Sequence, residues 1–279
     1  MINKSLKDVI IDSFLHILLG IMAITSVYPI IWVIMSSFNP GTSLYSSRLI
    51  PKTLTLDHYR ELFIKKNFGL WYLNTLKIAF FTMILATILV VLTAYAMSQF
   101  RFKGRRFSLM TMLVLQAFPG FMTMIAIYLL LLQVNLLDTH LGLILVYAGG
   151  AIPGGAWLTK GYLDGIPRSL PEAAKIDGAS NTTILFRVML PLCSPILTFI
   201  ALSNFISPWM EFILARLVLR SANKKTLAIG LYEMVTGRMN TEFTMFAAGA
   251  VLVAIPITIL FMFLQRFIVS GLAEGASKT

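Results

Sequence analysis

Few residues in this chain have types and spacings suited to chemistry. His16, His58 and His140 are scattered and show no metal-ligand spacing. Cys193 is the sole cysteine, so neither an intramolecular disulfide nor a thiolate cluster can form. No G-x-x-x-x-G-K-S/T run is present to cradle a nucleotide phosphate. The carboxylates form no catalytic pair. The chain therefore reads as a non-enzyme without metal or cofactor of its own. GGAIPGG (Gly149–Gly155) lies inside an apolar run, where close helix packing and a kink at Pro153 account for it. Two features remain. Glu211 lies in or near an apolar run, where a carboxylate is costly. PEAAKIDGASNTTILFRVMLP (Pro171–Pro191) is a polar, helix-competent segment between two long apolar stretches.

The elements that must position these features are membrane spans. The chain has 279 residues, 57% hydrophobic and only 13% charged, with mean hydropathy +0.81. A soluble domain carries nearer a quarter charged residues. Apolar blocks reach the roughly 20 residues that a helix needs to cross a bilayer. Six spans are expected, at about Phe14–Phe38, Leu70–Ser98, Phe107–Gln133, Leu141–Leu163, Ile196–Leu219 and Phe243–Val269. The first, preceded by Lys4 and Lys7, is too long for a signal-peptide core and is read as a retained span. The net charge of +11 sits in loops and at span ends, which argues for a lipid bilayer and against nucleic acid.

Short loops set the orientation. RFKGRR (Arg101–Arg106) is strongly basic, whereas VNLLDTH (Val134–His140) has no Lys or Arg. The first is expected in the cytoplasm and the second outside. Both termini and Pro171–Pro191 are then cytoplasmic. The loop from Arg220 to Glu242 must be external despite Arg220, Lys224, Lys225 and Arg238, because longer polar segments cross regardless of charge.

Within the polar segment, SLPE (Ser169–Glu172) has the capping-box pattern, with Ser169 as cap and Glu172 reaching back. Pro171 suits a first turn, and Gly178 can end the helix in a left-handed conformation. SNTT (Ser180–Thr183) offers a second cap, and Pro191 interrupts the run that follows. The expected order is short helix, glycine joint, second helix, span. Two readings stand on the residues alone: a linker at the headgroups, or a helix that docks in a partner's groove.

Glu172-Ala173-Ala174, Gly178 and Val188-Met189-Leu190-Pro191 resemble the cytoplasmic signature loop of bacterial ABC-importer permeases, with valine where isoleucine is usual. WYLNTLKIAF (Trp71–Phe80) resembles the start of that permease domain. IPITILFMFLQRFIVSGLAEGASK (Ile255–Lys278) resembles the C-terminal end of the second permease subunit in maltose-type importers. SPWMEF (Ser207–Phe212) resembles that family's W-N-E-F element, with Met210 for asparagine. The resemblance implies an all-α, six-span type I ABC-importer permease fold in a bacterial cytoplasmic membrane. It implies a second homologous permease, two copies of a cytoplasmic ATPase carrying Mg-ATP, and an external sugar-binding protein. Glu172, Ala173, Ala174, Asp177, Gly178, Leu190 and Pro191 would then couple the subunit to the ATPase.

Residues 1–70 are expected to form a tail, first span and external loop. Residues 71–269 form the permease core with its coupling loop at 164–195, and 270–279 a cytoplasmic tail. Glu211 has three readings: a structural pair with Arg216 or another basic group, a place on the pathway, or a proton-coupling site. Asn74, Gln116, Asn204 and Trp209 are further pathway candidates, or helix–helix hydrogen bonds and interfacial anchors. Lys224, Lys225 and Tyr232, around LAIGLYEMVTG (Leu227–Gly237), are candidate contacts for the binding protein. The leading expectation is half the pore of an ATP-driven oligosaccharide importer. Malto-oligosaccharides come first, with galacto-oligosaccharides or other plant glycans behind. A secondary sugar carrier using Glu211, or a scaffold that transports nothing, are the alternatives.

Overall fold

The computed structural model describes residues 6–42, 49–236 and 241–276, and among them every regular element is a helix. Lys4, Arg238, Gly237, Ser277 and Lys278, used above, lie outside them. In chain order the first helices are α1 (Leu6–Ser37), α2 (Asp57–Lys65), α3 (Phe68–Gln99), α4 (Arg105–Ala117), α5 (Gly120–Gln133) and α6 (His140–Asp164). There follow α7 (Ser169–Ile176), α8 (Asn181–Ile184), a π turn at Leu185–Met189, and α9 (Leu190–Leu192). The last are α10 (Ser194–Met210), α11 (Ile213–Val218), α12 (Leu227–Thr236) and α13 (Phe243–Ala276).

Four expected spans are unbroken helices long and apolar enough to cross a membrane, on α1, α3, α6 and α13. The other two differ from the sequence expectation. The third is broken: α4 and α5 meet at 106°. The cause is Pro119, which forces Phe118 into an extended conformation (φ −76°, ψ 130°) and ends α4. The fifth does not run to Leu219, because α10 stops at Met210 and α11 begins only at Ile213. Upstream, Asn181–Leu192 and α10 meet at 83° across Cys193, between Pro191 and Pro195. Among the described residues, counting each bent pair as one span gives six.

The chain divides into two compact units. One comprises Met1–Asn67 and Leu231–Ala254. In it the end of α1 is tied to α2, with Ser37 Oγ 2.7 Å from the Tyr59 hydroxyl and His58 Nε2 2.9 Å from the Asn39 carbonyl. Lys66 pairs with Glu242 at 2.7 Å. Among the described residues, nothing buries the apolar stretch of α1.

The other unit comprises Phe68–Gly230 and Ile255–Thr279 and carries the candidate coupling loop. Here α3 packs along α6 and α10. Gly155 of α6 permits that approach, since a Cβ there would stand 2.8 Å from Val90 Cγ2. Pro153 lies inside a continuous α6. Apolar cores among the described residues lie along α3. One gathers Ile78, Leu143, Leu214, Val218 and Ile229; another gathers Val91, Tyr95, Leu163, Ile184 and Met189.

Candidate functional site

The loop between α6 and α10 is α7, a glycine joint, and a second helical run made of α8, the π turn and α9. Ser169 is not the cap of α7, contrary to the sequence pattern. Arg168 occupies the cap position, is already helical (φ −62°, ψ −24°), and makes no side-chain cap bond. Pro167 starts the turn one residue early, with Leu170 N–H donating to its carbonyl at 3.2 Å. Ser169 is thus drawn into the helix, and Glu172 N–H bonds the Arg168 carbonyl instead. Glu172 itself is exposed.

The joint closes as the glycine suggests. Gly178 has φ +83°. Its N–H donates to the Lys175 carbonyl at 3.0 Å, and Ala179 N–H donates to the Ala174 carbonyl at 2.9 Å. This pair of bonds is the Schellman arrangement, and Ala174 and Ala179 supply its apolar contact while packing on the inner core. Ser180 caps the next helix through Thr183 N–H at 3.2 Å, and the Tyr95 hydroxyl of α3 holds the Asn181 carbonyl at 3.2 Å.

The expected coupling residues therefore divide by face. Pro171 and Ala174 turn inward, with Pro171 buried and Ala174 half-buried. Leu170, Ala173 and Ile176 recur at three-residue spacing and are uncovered; Ile176 is 88% exposed. Asp177 and Pro191 are exposed, and Leu190 packs beside the core.

The start of α3 holds the loop after α11. Trp71, Asn74, Thr75 and Ile78 form one buried helical face. Asn74 Nδ2 donates to the carbonyls of Asn223 (2.9 Å) and Lys225 (3.0 Å), and Thr75 Oγ1 accepts from Leu227 N–H at 2.8 Å. Trp71 lies flush on Gly230, where a Cβ would stand 2.2 Å from its ring. Asp138 closes the same region. Its carboxylate accepts from the Arg220 and Ser221 amides (2.9 and 3.0 Å), from Ser221 Oγ (2.5 Å) and from Lys224 Nζ (3.3 Å). Burial opposes the charge, but these donors outweigh it and hold the carboxyl well below its ordinary 3.8. Lys224 also bonds the Asp138 carbonyl at 2.5 Å, so its ammonium is engaged. Tyr232 belongs to the other unit and is 44% exposed.

Glu211 stands at the break between α10 and α11. Its carboxylate accepts from the Tyr147 hydroxyl (2.6 Å) and from the amides of Leu214 (2.7 Å) and Ala215 (2.9 Å). It lies one residue before Phe212, which occupies the cap position, and serves as the capping side chain of α11, satisfying amides that the helix start leaves open. Trp209 is 2% exposed and packs against Tyr72 and Phe205, with ring centroids at 5.4 and 5.8 Å. Asn204 is half-buried and donates to the Ile200 carbonyl at 2.8 Å. Gln116 is exposed, just before the bend after α4.

Residues 91–274 match the family described as the binding-protein-dependent transport system inner membrane component. The chain belongs to that family. It is 45% identical over 268 residues to the galactooligosaccharides transport system permease protein GanQ of Bacillus subtilis, covering 95% of each chain. It is 38% identical over 263 residues to the maltodextrin transport system permease protein MdxG of the same organism, covering 94% of this chain and 95% of the other. In fold it matches a chain from the crystal structure of a bacterial ABC transporter involved in the import of the acidic polysaccharide alginate. That match has a TM-score of 0.81 and 28% identity, over 95% of this chain and 99% of that one. The permease reading drawn from the signature loop holds, and the secondary-carrier reading of Glu211 is without support.

Sequence reasoning about this permease missed Asp138 and Tyr147. Asp138 had one signal, as the acid in a loop free of Lys and Arg. Tyr147 had none, because its partner Glu211 lies 64 residues away.

Proposed function

We propose that this permease forms half of the translocation pathway of an ATP-driven oligosaccharide importer and is driven through α7. It pairs with a second homologous permease. Two copies of a cytoplasmic ATPase hydrolyse Mg-ATP, and an extracytoplasmic binding protein delivers the sugar. Both termini and α7 are cytoplasmic in this reading, in keeping with the basic loop at Arg101–Arg106. The observation that carries the reading is the outer face of α7. Leu170, Ala173 and Ile176 are uncovered, while the inner face is anchored by Pro171 and Ala174. A short helix fixed on one side and apolar on the other suits a groove on a partner.

The names of the relatives support a galacto-oligosaccharide first by identity and a maltodextrin second. Gln116 and Asn204 are the proposed sugar-facing residues. Asn74, Trp209 and Glu211 are proposed to hold the shape of the wall. Lys225 and Tyr232 are proposed contacts for the binding protein, whereas Lys224 acts first on Asp138.

Disulfide trapping tests the coupling. In a Cys193→Ser background, Ile176→Cys is co-expressed with ATPase subunits carrying single cysteines around their docking groove. Oxidation of membranes should give a cross-link that depends on nucleotide. Ala174→Cys, on the inner side, should cross-link far less. No cross-link from a reactive cysteine in the Ile176→Cys variant to any expressed ATPase would overturn the reading.

A further inference from the structure

Where the ends of α3, α4 and α6 meet α7, the structure has a cleft of about 170 Å³. Arg101, Arg105, Arg168 and Lys175 line it, together with Asp164 and Glu172. Asp164 is already satisfied, by Lys160 and by the Ser98 hydroxyl at 2.7 Å. Arg105 is held in place by its Nε–H, which donates to the Met97 carbonyl at 2.7 Å. The side chains of Arg101, Arg168 and Lys175 have no hydrogen-bond or ion-pair partner among the described residues. Cations gathered around one concavity repel one another, and Glu172 offsets only one of them.

Three spans end at this cleft, which puts it at headgroup depth once the helices cross a bilayer. Basic pockets between transmembrane helices at that depth select anionic headgroups. Guanidinium groups bind phosphate through paired N–H donors. We propose that this cleft binds a phosphate group, supplied by the headgroup of an anionic lipid, and that the bound phosphate braces α7 against the ends of α3 and α6. The inference goes beyond the importer reading. It requires only that these helix ends lie at a membrane surface.

The test is native mass spectrometry of the full chain, released from detergent with phosphatidylglycerol or phosphatidylcholine at equal concentration. One phosphatidylglycerol should be retained in preference. The pair Arg101→Gln, Arg168→Gln should weaken that preference about 30-fold, from the usual contribution of each basic group near an anionic surface. Arg101→Lys, Arg168→Lys, which keeps the charge but loses the paired donors, should fall between wild type and the glutamine pair. Lys103→Gln, Arg106→Gln, in the same basic loop but outside the cleft, should leave it unchanged. Inorganic phosphate is the second probe. If it binds, depends on Arg101 and Arg168, and no lipid preference is seen, the site stands and its source is soluble. Equal loss in both glutamine pairs would mean diffuse surface charge and overturn the proposal. So would wild-type protein that shows neither lipid preference nor phosphate binding. That wild-type comparison decides the matter even if a glutamine pair does not fold.

Discussion

Gly178 separates strain within the loop from contact with a partner. Its φ of +83° is one that residues with a Cβ avoid, yet a Cβ there would meet no atom of this chain within 4 Å. The cost of a side chain is therefore conformational alone. For an ordinary L residue it is roughly 1–2 kcal/mol, while asparagine visits this region readily and a β-branched residue is worse. The joint is held by the amides of Gly178 and Ala179, so that cost should appear as faster local opening. Gly178→Ala should speed hydrogen exchange of a peptide spanning 177–180 about 5- to 30-fold, since 1.4 kcal/mol is about tenfold. Gly178→Asn should change it little, and Gly178→Val more than alanine. A Gly178→Val protein that exchanges like wild type would refute the reasoning. Uptake measured in parallel adds the second half. Gly178→Asp tolerates the backbone, so lost uptake with near-native exchange would place its defect at the partner's groove, not in the joint.

Other outcomes follow from the same contacts. Glu211→Gln keeps the side-chain length but weakens the cap of α11. It should lower thermal stability by roughly 1–2 kcal/mol, and wild-type uptake should survive a protonophore while ATP is held constant; collapse of uptake would revive the carrier reading. Gly230→Ala places a methyl in the Trp71 ring and should cost about 1–3 kcal/mol in thermal unfolding, partly restored by Trp71→Phe. The Asp138 carboxyl is depressed in the folded state, so its stabilisation is full above the ordinary value and lost as pH falls below it. The Tm gap between wild type and Asp138→Asn should be constant above about pH 5 and narrow below about pH 4; a gap independent of pH would remove the clamp. Lys225→Gln alone should lower uptake at limiting sugar if charge steers the binding protein, whereas Lys224→Gln should also lower stability.

The sequence makes the spans legible because hydropathy reports burial in lipid directly, and α1, α3, α6 and α13 follow it. It makes the glycine joint legible because Gly178 sits where a helix must stop. What it hides depends on partners distant in the chain or on competing local signals. Pro119 is visible, but hydropathy runs through it, so the apolar pattern does not register the bend between α4 and α5. Ser169 matches a capping pattern, yet Pro167 begins the turn earlier and displaces it. Ala173 and Ala174 are the same residue type, and only the Schellman contact with Ala179 shows which one faces in. Asn74 and Trp209 have the residue types of a sugar-lined wall, but the structure spends their surfaces on the chain itself.

That division of faces bears on how motion would leave α7. Its inner side is not attached by one flexible link. Ala174 and Ala179 pack on the core formed by Val91, Tyr95, Leu163 and Met189, and Tyr95 holds the Asn181 carbonyl. Close-packed cores transmit displacement because they do not compress. On the proposed coupling, a push on Leu170, Ala173 or Ile176 would therefore reach α3 and α6 together. Compliance is available further along, at the π turn of Leu185–Met189, where α-helical bonding lapses, and at the 83° bend by Cys193, where Pro191 and Pro195 remove two amide donors. On the proposed coupling, the loop would combine a stiff connection to the spans on one side with a bend beside α10 on the other. Tyr95→Phe removes the bond to Asn181 without removing the ring. It should leave the protein folded and lower transport for each ATP hydrolysed, in proteoliposomes of the assembled importer; unchanged coupling would mean that the packed core alone carries the push.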